Sequence, residues 1–252
     1  MKIDYAIVST DGNKLYDGFW DIVKNVWSKN IGIKPVLVTI GDDDSFVETE
    51  ECVLISYKKI EGVNTGLQSQ IARLYAVTQF NNKTCLISDL DMIPMSKSYF
   101  VDNAKDVCDD CLLIYTADAY GYNNQTRYPM CYNLASSETF QKIMNVEPTF
   151  EEFVNRLSSM GLGWDTDELF WGSCVFEWEK TNSDKIVKLE RGFGEGFATR
   201  RLDRCCWGLY KPERVLEEYY FDCHSLRPIS KHEKQINELI ELMEKQNEYK
   251  II

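Results

Sequence analysis

An apolar run at residues 84–87, Thr-Cys-Leu-Ile, leads into Ser-Asp-Leu-Asp, so two carboxylates, Asp89 and Asp91, stand one residue apart. A short apolar run after a polar turn is typical of a buried strand in a parallel sheet. Ligands of open α/β sheets bind at the carboxyl ends of the strands. Two acids buried there need a counter-charge, and their oxygens suit Mg²⁺ or Mn²⁺. The pattern predicts a divalent-cation site, and a solvated strand end is the alternative.

Three further acids, Asp165, Asp167 and Glu168, stand where a glycine-rich stretch enters a helical pattern. Asp165 followed by Glu168 fits a capped helix start, and acids in the first turn favour the helix dipole. Three acids are more than one cap requires. We therefore expect at least one of them to be catalytic, with a helix cap as the alternative reading. The pair at positions 42 and 44 repeats the Asp-x-Asp spacing after the apolar run at 35–40.

Histidine and arginine supply the remaining candidates. The sequence has two histidines, and one of them, His224, ends an apolar run at residues 219–224. Arg73 lies in a helical pattern at residues 65–80, just before the acidic strand, so it can reach the edge of the sheet or lie on the surface. A basic cluster, whose members could bind phosphate or form surface salt bridges, consists of Arg200, Arg201 and Arg204.

The elements that carry these residues alternate between strands and helices. Apolar runs predict strands at residues 2–10, 35–40, 52–56, 84–87, 111–116 and 129–134. Helical spacing predicts helices at residues 16–30, 65–80, 136–144 and 149–160, with Thr65 as a candidate N-cap. This alternation predicts an α/β fold with a mainly parallel sheet. We expect one domain over residues 1–228 and an amphipathic helix over 229–252 that packs on it.

Composition narrows the function classes. The net charge of −12 argues against a nucleic-acid partner. No stretch approaches the ~20 apolar residues that span a membrane. The chain begins directly with a strand, so no signal peptide is visible. Four of the nine cysteines, Cys52, Cys85, Cys131 and Cys174, lie in apolar runs, which predicts reduced core thiols. We therefore expect a cytoplasmic protein, and the other cysteines lack the spacing of a zinc site.

Taken together, these segments resemble the GT-A-fold glycosyltransferases, in layout nearest to the retaining family 8 enzymes. The likeness rests on five short segments in the same order: residues 8–13 (Val-Ser-Thr-Asp-Gly-Asn), 71–74 (Ile-Ala-Arg-Leu), 86–91 (Leu-Ile-Ser-Asp-Leu-Asp), 164–169 (Trp-Asp-Thr-Asp-Glu-Leu) and 221–224 (Phe-Asp-Cys-His). The resemblance implies a single Rossmann-like domain with helices on both faces of its sheet.

The resemblance also implies roles for individual residues. The base and ribose of a nucleotide sugar would lie against Ser9, Thr10 and Asp11. Arg73 would approach the donor phosphates, beside Asp89. Asp89, Asp91 and His224 would hold the cation, and a nitrogen ligand tilts the choice to Mn²⁺ over Mg²⁺. Asp165, Asp167 and Glu168 would face the donor sugar or the acceptor. Arg227 would contact the diphosphate, although it follows the histidine sooner than the family's lysine does.

The function that the resemblance implies is metal-dependent transfer of a sugar from a nucleoside diphosphate sugar, of the UDP or GDP type, to a hydroxyl of a glycan or other acceptor. One alternative is a sugar-phosphate nucleotidyltransferase. The N-terminus lacks the glycine-rich loop, ending in Arg and Lys, that holds a triphosphate in that class. The other alternative is a non-catalytic protein of the same fold that binds nucleotide or glycan.

Overall fold

Helices and strands alternate along the chain in a computed structural model that describes residues 1–16, 18–41, 46–121, 127–190 and 200–249. The strands are β1 (Tyr5–Thr10), β2 (Lys34–Ile40), β3 (Val53–Tyr57), β4 (Thr84–Ile87), β5 (Met92–Pro94), β6 (Leu112–Ile114), β7 (Asn133–Ser136), β8 (Ile186–Lys188), β9 (Arg201–Asp203) and β10 (Asp222–His224). The α-helices are α1 (Phe19–Asn25), α2 (Thr65–Ala76), α3 (Asn103–Lys105), α4 (Ser137–Met144), α5 (Phe150–Ser159), α6 (Thr166–Glu179), α7 (Pro212–Leu216) and α8 (Ile229–Tyr249).

Seven strands form the main sheet, in the order β3-β2-β1-β4-β7-β6-β8. Among these strands only β7 runs antiparallel to its neighbours, so the predicted, mainly parallel α/β sheet is confirmed. The chain moves outward from β1 to β3 and then returns through α2 to β4 on the other side of β1. The carboxyl ends of β1 and β4 thus form the switch point at which open α/β sheets bind ligands.

A second sheet of three short strands, β5-β10-β9, brings the end of the chain to this switch point. In the antiparallel pairing of β10 with β5, His224 lies opposite Met92, the residue after Asp91. In the parallel pairing of β10 with β9, His224 lies opposite Asp203. The register of two strand pairs therefore positions the histidine beside the acids of the β4 end.

The core lies on both faces of the main sheet, as the alternating side chains of β1 illustrate. Ala6 and Val8 pack on the face that holds α1, whereas Ile7 packs on the opposite face with α2, α4, α5 and α6. Helix α8 adds Leu239 and Met243 to the first of these clusters. This packing explains why the apolar residues of α8 lie on one face of the helix. Within the described residues, no helix is both long enough and apolar enough to cross a membrane.

Several element predictions were wrong in detail. The residues predicted as one helix at 16–30 form α1 followed by π-helical turns at Val26–Ile31. The side chain of Asn64, not Thr65, caps α2 by accepting a hydrogen bond of 3.2 Å from the backbone nitrogen of Leu67. The run at 129–134 is largely a buried loop, and its strand, β7, begins at Asn133 and extends beyond it. Buried Asn133 satisfies its side chain through two backbone carbonyls and the Trp171 indole.

Cysteine states agree with the prediction at the four positions in apolar runs, where the thiols are free. Cys108 and Cys111 form a disulfide, which the sequence analysis did not predict. The acidic pair at positions 42 and 44 lies outside the described residues, as does the segment at 191–197, whose glycine-rich sequence predicts a loop.

Candidate active site

A cleft of about 820 Å³ lies at the switch point, and all the residues to which the family resemblance gave a role line it. Its walls come from the ends of β1 and β4, the start of α2, the entry to α6 and the segments that follow β9 and β10. The predicted residues that meet there are Ser9, Thr10, Asp11, Arg73, Asp89, Asp91, Asp165, Asp167, Glu168, His224 and Arg227. Residues far apart in the sequence are thus gathered around one space.

Asp91 is the charge centre of the cleft floor. Its side chain is only 5% exposed, and its Oδ2 accepts hydrogen bonds from Arg204 Nη2 at 2.7 Å and Arg227 Nη1 at 3.3 Å. His224 Nε2 lies 3.6 Å from the same oxygen. On the other side of the imidazole ring, Nδ1 lies 3.3 Å from Asp203 Oδ2. Such a carboxylate on Nδ1 fixes the tautomer that leaves Nε2 free to act as a ligand.

Arg73 bridges two further acids of the cleft, the half-buried Asp89 and the buried Asp167. It donates to Asp89 through Nη1 and to Asp167 through Nη2, the latter at 2.7 Å. Burial by itself raises the pKa of the Asp89 carboxyl, but the charge and hydrogen bond of Arg73 together outweigh burial. The pKa of Asp89 therefore lies below its ordinary value. At Asp167 burial prevails over the guanidinium and raises the pKa above the ordinary value. Asp167, whose side chain is 2% exposed, therefore pairs with Arg73 in the lining of the cleft.

Asp165 and Glu168 form a separate cluster around Arg127. Arg127 Nη2 donates to Asp165 Oδ1 at 2.9 Å and to Glu168 Oε2 at 2.5 Å, and the Tyr120 hydroxyl donates to Glu168 Oε1 at 2.7 Å. Burial raises the pKa of Glu168 despite these bonds. The capping alternative for Asp165 is wrong, because its side chain makes no capping hydrogen bond to α6. Its carboxylate, 44% exposed, faces the cleft.

The end of β1 forms the opposite wall. Asp11 Oδ2 accepts a hydrogen bond of 2.9 Å from Thr65 at the start of α2. The ring of Trp164 lies beside the next residue, Gly66, because a Cβ built there would be in ordinary contact with Cζ3 of that ring, at 3.6 Å. Trp164 is 65% exposed, although its backbone oxygen is fixed by a hydrogen bond of 3.1 Å from Gln70. A polar rim and an exposed aromatic face therefore border this part of the cleft.

The donor set of the cleft fits a divalent cation at Asp91 and His224. Their ligand atoms, Oδ2 and Nε2, lie 3.6 Å apart, a separation that one ion can bridge. The guanidinium groups of Arg204 and Arg227 on Asp91 Oδ2 show that this oxygen attracts cations. The predicted third ligand, Asp89, lines the same cleft, but its Oδ1 is held by Arg73.

A three-residue cluster of ligand atoms elsewhere does not compete with this site. Across the described part of the chain, the one group of three His, Cys, Asp or Glu ligand atoms within 4.8 Å of one another is Cys108, Asp110 and Cys111. Two of these residues form the disulfide, and none of the three lines the cleft. Asp89, Asp91 and His224 therefore share the cleft without the close three-way convergence that the sequence analysis predicted for a metal site.

Sequence reasoning missed one basic residue that lines the cleft, Arg127, and did not distinguish among the three arginines of the predicted basic cluster. Arg127 follows a polar stretch with no motif, so no local signal identified it. Of the predicted basic cluster, Arg200 stacks on the ring of Phe221 and Arg201 is buried against Asp222. Only Arg204 reaches the cleft, because it directly follows β9, whose last residue pairs with His224.

Comparison with solved structures supports the same fold. The glycosyltransferase GlyE of Streptococcus pneumoniae TIGR4 matches with a TM-score of 0.53 in its apo form and 0.50 in a second structure, at 12% identity over 99% and 100% of this chain. An active-site mutant of the galactosyltransferase LgtC matches with a TM-score of 0.50 at 11% identity, over 89% of this chain and 88% of that chain. No family model and no curated protein sequence matches the chain.

These likenesses establish the fold. Because the identities are near 12%, they show the architecture and leave the activity to the site itself. The chain spans 64% of the length of GlyE, so it is similar to part of that protein. The GT-A-like α/β fold predicted from the sequence is confirmed.

Proposed function

We propose that the protein is a glycosyltransferase that moves a sugar from a nucleoside diphosphate sugar to a hydroxyl acceptor with the help of Mn²⁺ or Mg²⁺. One observation carries the proposal: Asp91 Oδ2 and His224 Nε2 lie 3.6 Å apart in a cleft that also contains guanidinium groups, at the switch point of the sheet. Ligands of such sheets bind at this point. The fold is that of structures named as glycosyltransferases.

The charge of the cleft supports a need for a cation. Among the described residues that line it, six carboxylates outnumber four guanidinium groups. The carboxylates are those of Asp11, Asp89, Asp91, Asp165, Asp167 and Glu168, and the guanidinium groups are those of Arg73, Arg127, Arg204 and Arg227. A diphosphate brings further negative charge into this space. A divalent cation at Asp91 and His224 would balance it and, as a Lewis acid, would stabilise the diphosphate as it leaves the sugar.

The side chains of the cleft would have different roles in binding the donor and the acceptor. Asp11, near the exposed Trp164 ring, supports a base and ribose position at the end of β1. Arg73 is always charged, and its two carboxylates fix its guanidinium in one place beside the cleft. Asp167 then positions Arg73 instead of acting on substrate. Asp165, the exposed acid of its cluster, is the group available to orient a sugar or acceptor hydroxyl.

A turnover assay with a panel of nucleotide sugars tests this function. Purified protein is mixed with UDP and GDP sugars and Mn²⁺, and release of the nucleoside diphosphate is followed with and without EDTA. We expect at least one donor to be turned over, with loss of activity in EDTA and in Asp91→Asn. Asp21→Asn is the matched control, because Asp21 is 78% exposed on α1 and outside the cleft. No release from any donor, or equal release in EDTA, would contradict the proposal.

A further inference from the structure

Arg204 is held differently from the other two arginines of its cluster. Arg201 makes a bidentate ion pair with Asp222 in which both side chains are less than 8% exposed, so its charge is fully matched. Arg200 lies over the ring of Phe221 and donates to a backbone carbonyl, away from the cleft. Arg204 alone reaches Asp91, and it does so from the first position of a 3₁₀ turn that Asp203 caps.

The oxygen that Arg204 contacts is surrounded by two guanidinium groups and an imidazole nitrogen. Asp91 Oδ2 accepts from Arg204 Nη2 at 2.7 Å and from Arg227 Nη1 at 3.3 Å, and His224 Nε2 lies 3.6 Å away. A divalent cation bound between Asp91 and His224 would repel both guanidinium groups and compete for the same oxygen lone pairs. Cation binding would therefore weaken the contacts of both arginines with Asp91, and the contact of Arg204 is the shorter of the two.

The guanidinium of Arg204 also has unused donor capacity. Its Nη1 is buried and has no hydrogen-bond partner among the described residues. A buried donor without a partner is costly, whereas the planar guanidinium fork matches two oxygens of a phosphate. Arg227 stands beside it on the same carboxylate, with its Nη1 also donating to the Tyr16 hydroxyl.

We infer that Arg204 binds the diphosphate of the donor and exchanges Asp91 for phosphate oxygens when the cation binds. The inference rests on the proposed function and adds a residue and a coupling to it. With a cation on Asp91, Arg204 would be released from that carboxylate and its guanidinium would bind the diphosphate, whose charge would screen the cation from Arg204. Each ligand therefore improves the binding of the other, and the coupling must be equal in both directions. A structural counter-ion to Asp91 would show no such coupling.

Calorimetric titration separates these two roles. Mn²⁺ alone, a nucleoside diphosphate (UDP, then GDP) alone and the diphosphate with saturating Mn²⁺ are titrated into wild type, Arg204→Gln, Arg204→Lys and the control Arg200→Gln. Loss of a charged hydrogen-bond pair predicts about 10- to 100-fold weaker diphosphate binding in Mn²⁺ for Arg204→Gln. Mn²⁺ alone should bind Arg204→Gln at least as tightly as wild type, since a competing cation is gone. Arg204→Lys keeps the charge without the fork and should fall between the two.

The outcomes distinguish failure of this inference from failure of the proposed function. If wild type binds the diphosphate with Mn²⁺ and both Arg204 variants bind it equally well, Arg204 does not bind the diphosphate of the donor substrate. Weaker binding of Mn²⁺ alone in Arg204→Gln, with a lowered melting temperature, would instead assign a structural role and overturn the exchange. If wild type binds no nucleoside diphosphate under any condition, both ideas fall together. If Arg200→Gln lost as much affinity for the diphosphate as Arg204→Gln, the effect would come from the change in net charge. That result would also overturn the inference.

Discussion

Replacing Arg73 with Met should destabilise the protein more than any other single change at the cleft. The Arg73 side chain is 9% exposed and is paired with Asp167, whose carboxylate is 2% exposed. Met keeps the apolar stem of the side chain in α2, so the main loss is the cation between two acids. Removing one partner of a buried ion pair costs about 3–5 kcal/mol. For a domain of this size, that is about 6–20 °C in melting temperature.

Urea denaturation followed by circular dichroism measures this loss, and a second substitution tests its cause. If the cost comes from the unpaired Asp167 carboxylate, the double variant Arg73→Met, Asp167→Asn should be more stable than Arg73→Met alone. Arg156→Met is the control, because its ion pair with Glu147 is partly exposed and should contribute about 1 kcal/mol or less. A loss below about 1 kcal/mol for Arg73→Met, or a double variant no more stable than it, would refute this reasoning.

Three further predictions concern the acids and the histidines. Asp165→Asn and Asp165→Ala should both cut turnover severely and leave the melting temperature almost unchanged, since Asp165 makes no capping bond; a fully active Asn variant would contradict the functional role. Burial raises the pKa of Glu168 above 4.5, so folded protein holds its proton more tightly than unfolded protein does. The free energy of unfolding of wild type relative to Glu168→Gln should therefore fall as pH rises from 4.5 through the folded pKa, and parallel urea curves would argue against it. His224→Ala should raise the Mn²⁺ concentration needed for activity, whereas His232→Ala, in α8 and outside the cleft lining, should not; equal effects would remove His224 from the site.

The sequence contains enough information to locate the cleft because its polar residues follow apolar strands. In a parallel sheet the ends of β1 and β4 lie side by side, so the segments after Thr10 and Ile87 had to meet. His224 was found by the same reasoning, as a rare residue type at the end of an apolar run. These signals are local in the sequence, so they can be recognised without knowledge of the tertiary contacts.

Contacts between distant segments were not predictable in this way. The register of β5, β10 and β9 decides that Arg204 reaches Asp91 while Arg201 is buried, yet each strand has only three residues. Arg127 donates hydrogen bonds to Asp165 and Glu168, which lie about 40 positions further along the sequence, and no sequence pattern predicts these contacts. Asp167 resembled a catalytic acid by spacing, but its pairing with Arg73 depends on how α2 packs against α6.

The measurement that tests the account most directly is the position of the metal. Crystals grown with Mn²⁺ and a nucleoside diphosphate should give an anomalous peak at the manganese absorption edge. We predict that this peak lies within about 2.5 Å of Asp91 Oδ2 and His224 Nε2, with the diphosphate beside Arg204 and Arg227. A peak elsewhere, such as at Asp110, or a diphosphate bound in the cleft without Mn²⁺ at Asp91 and His224, would contradict it.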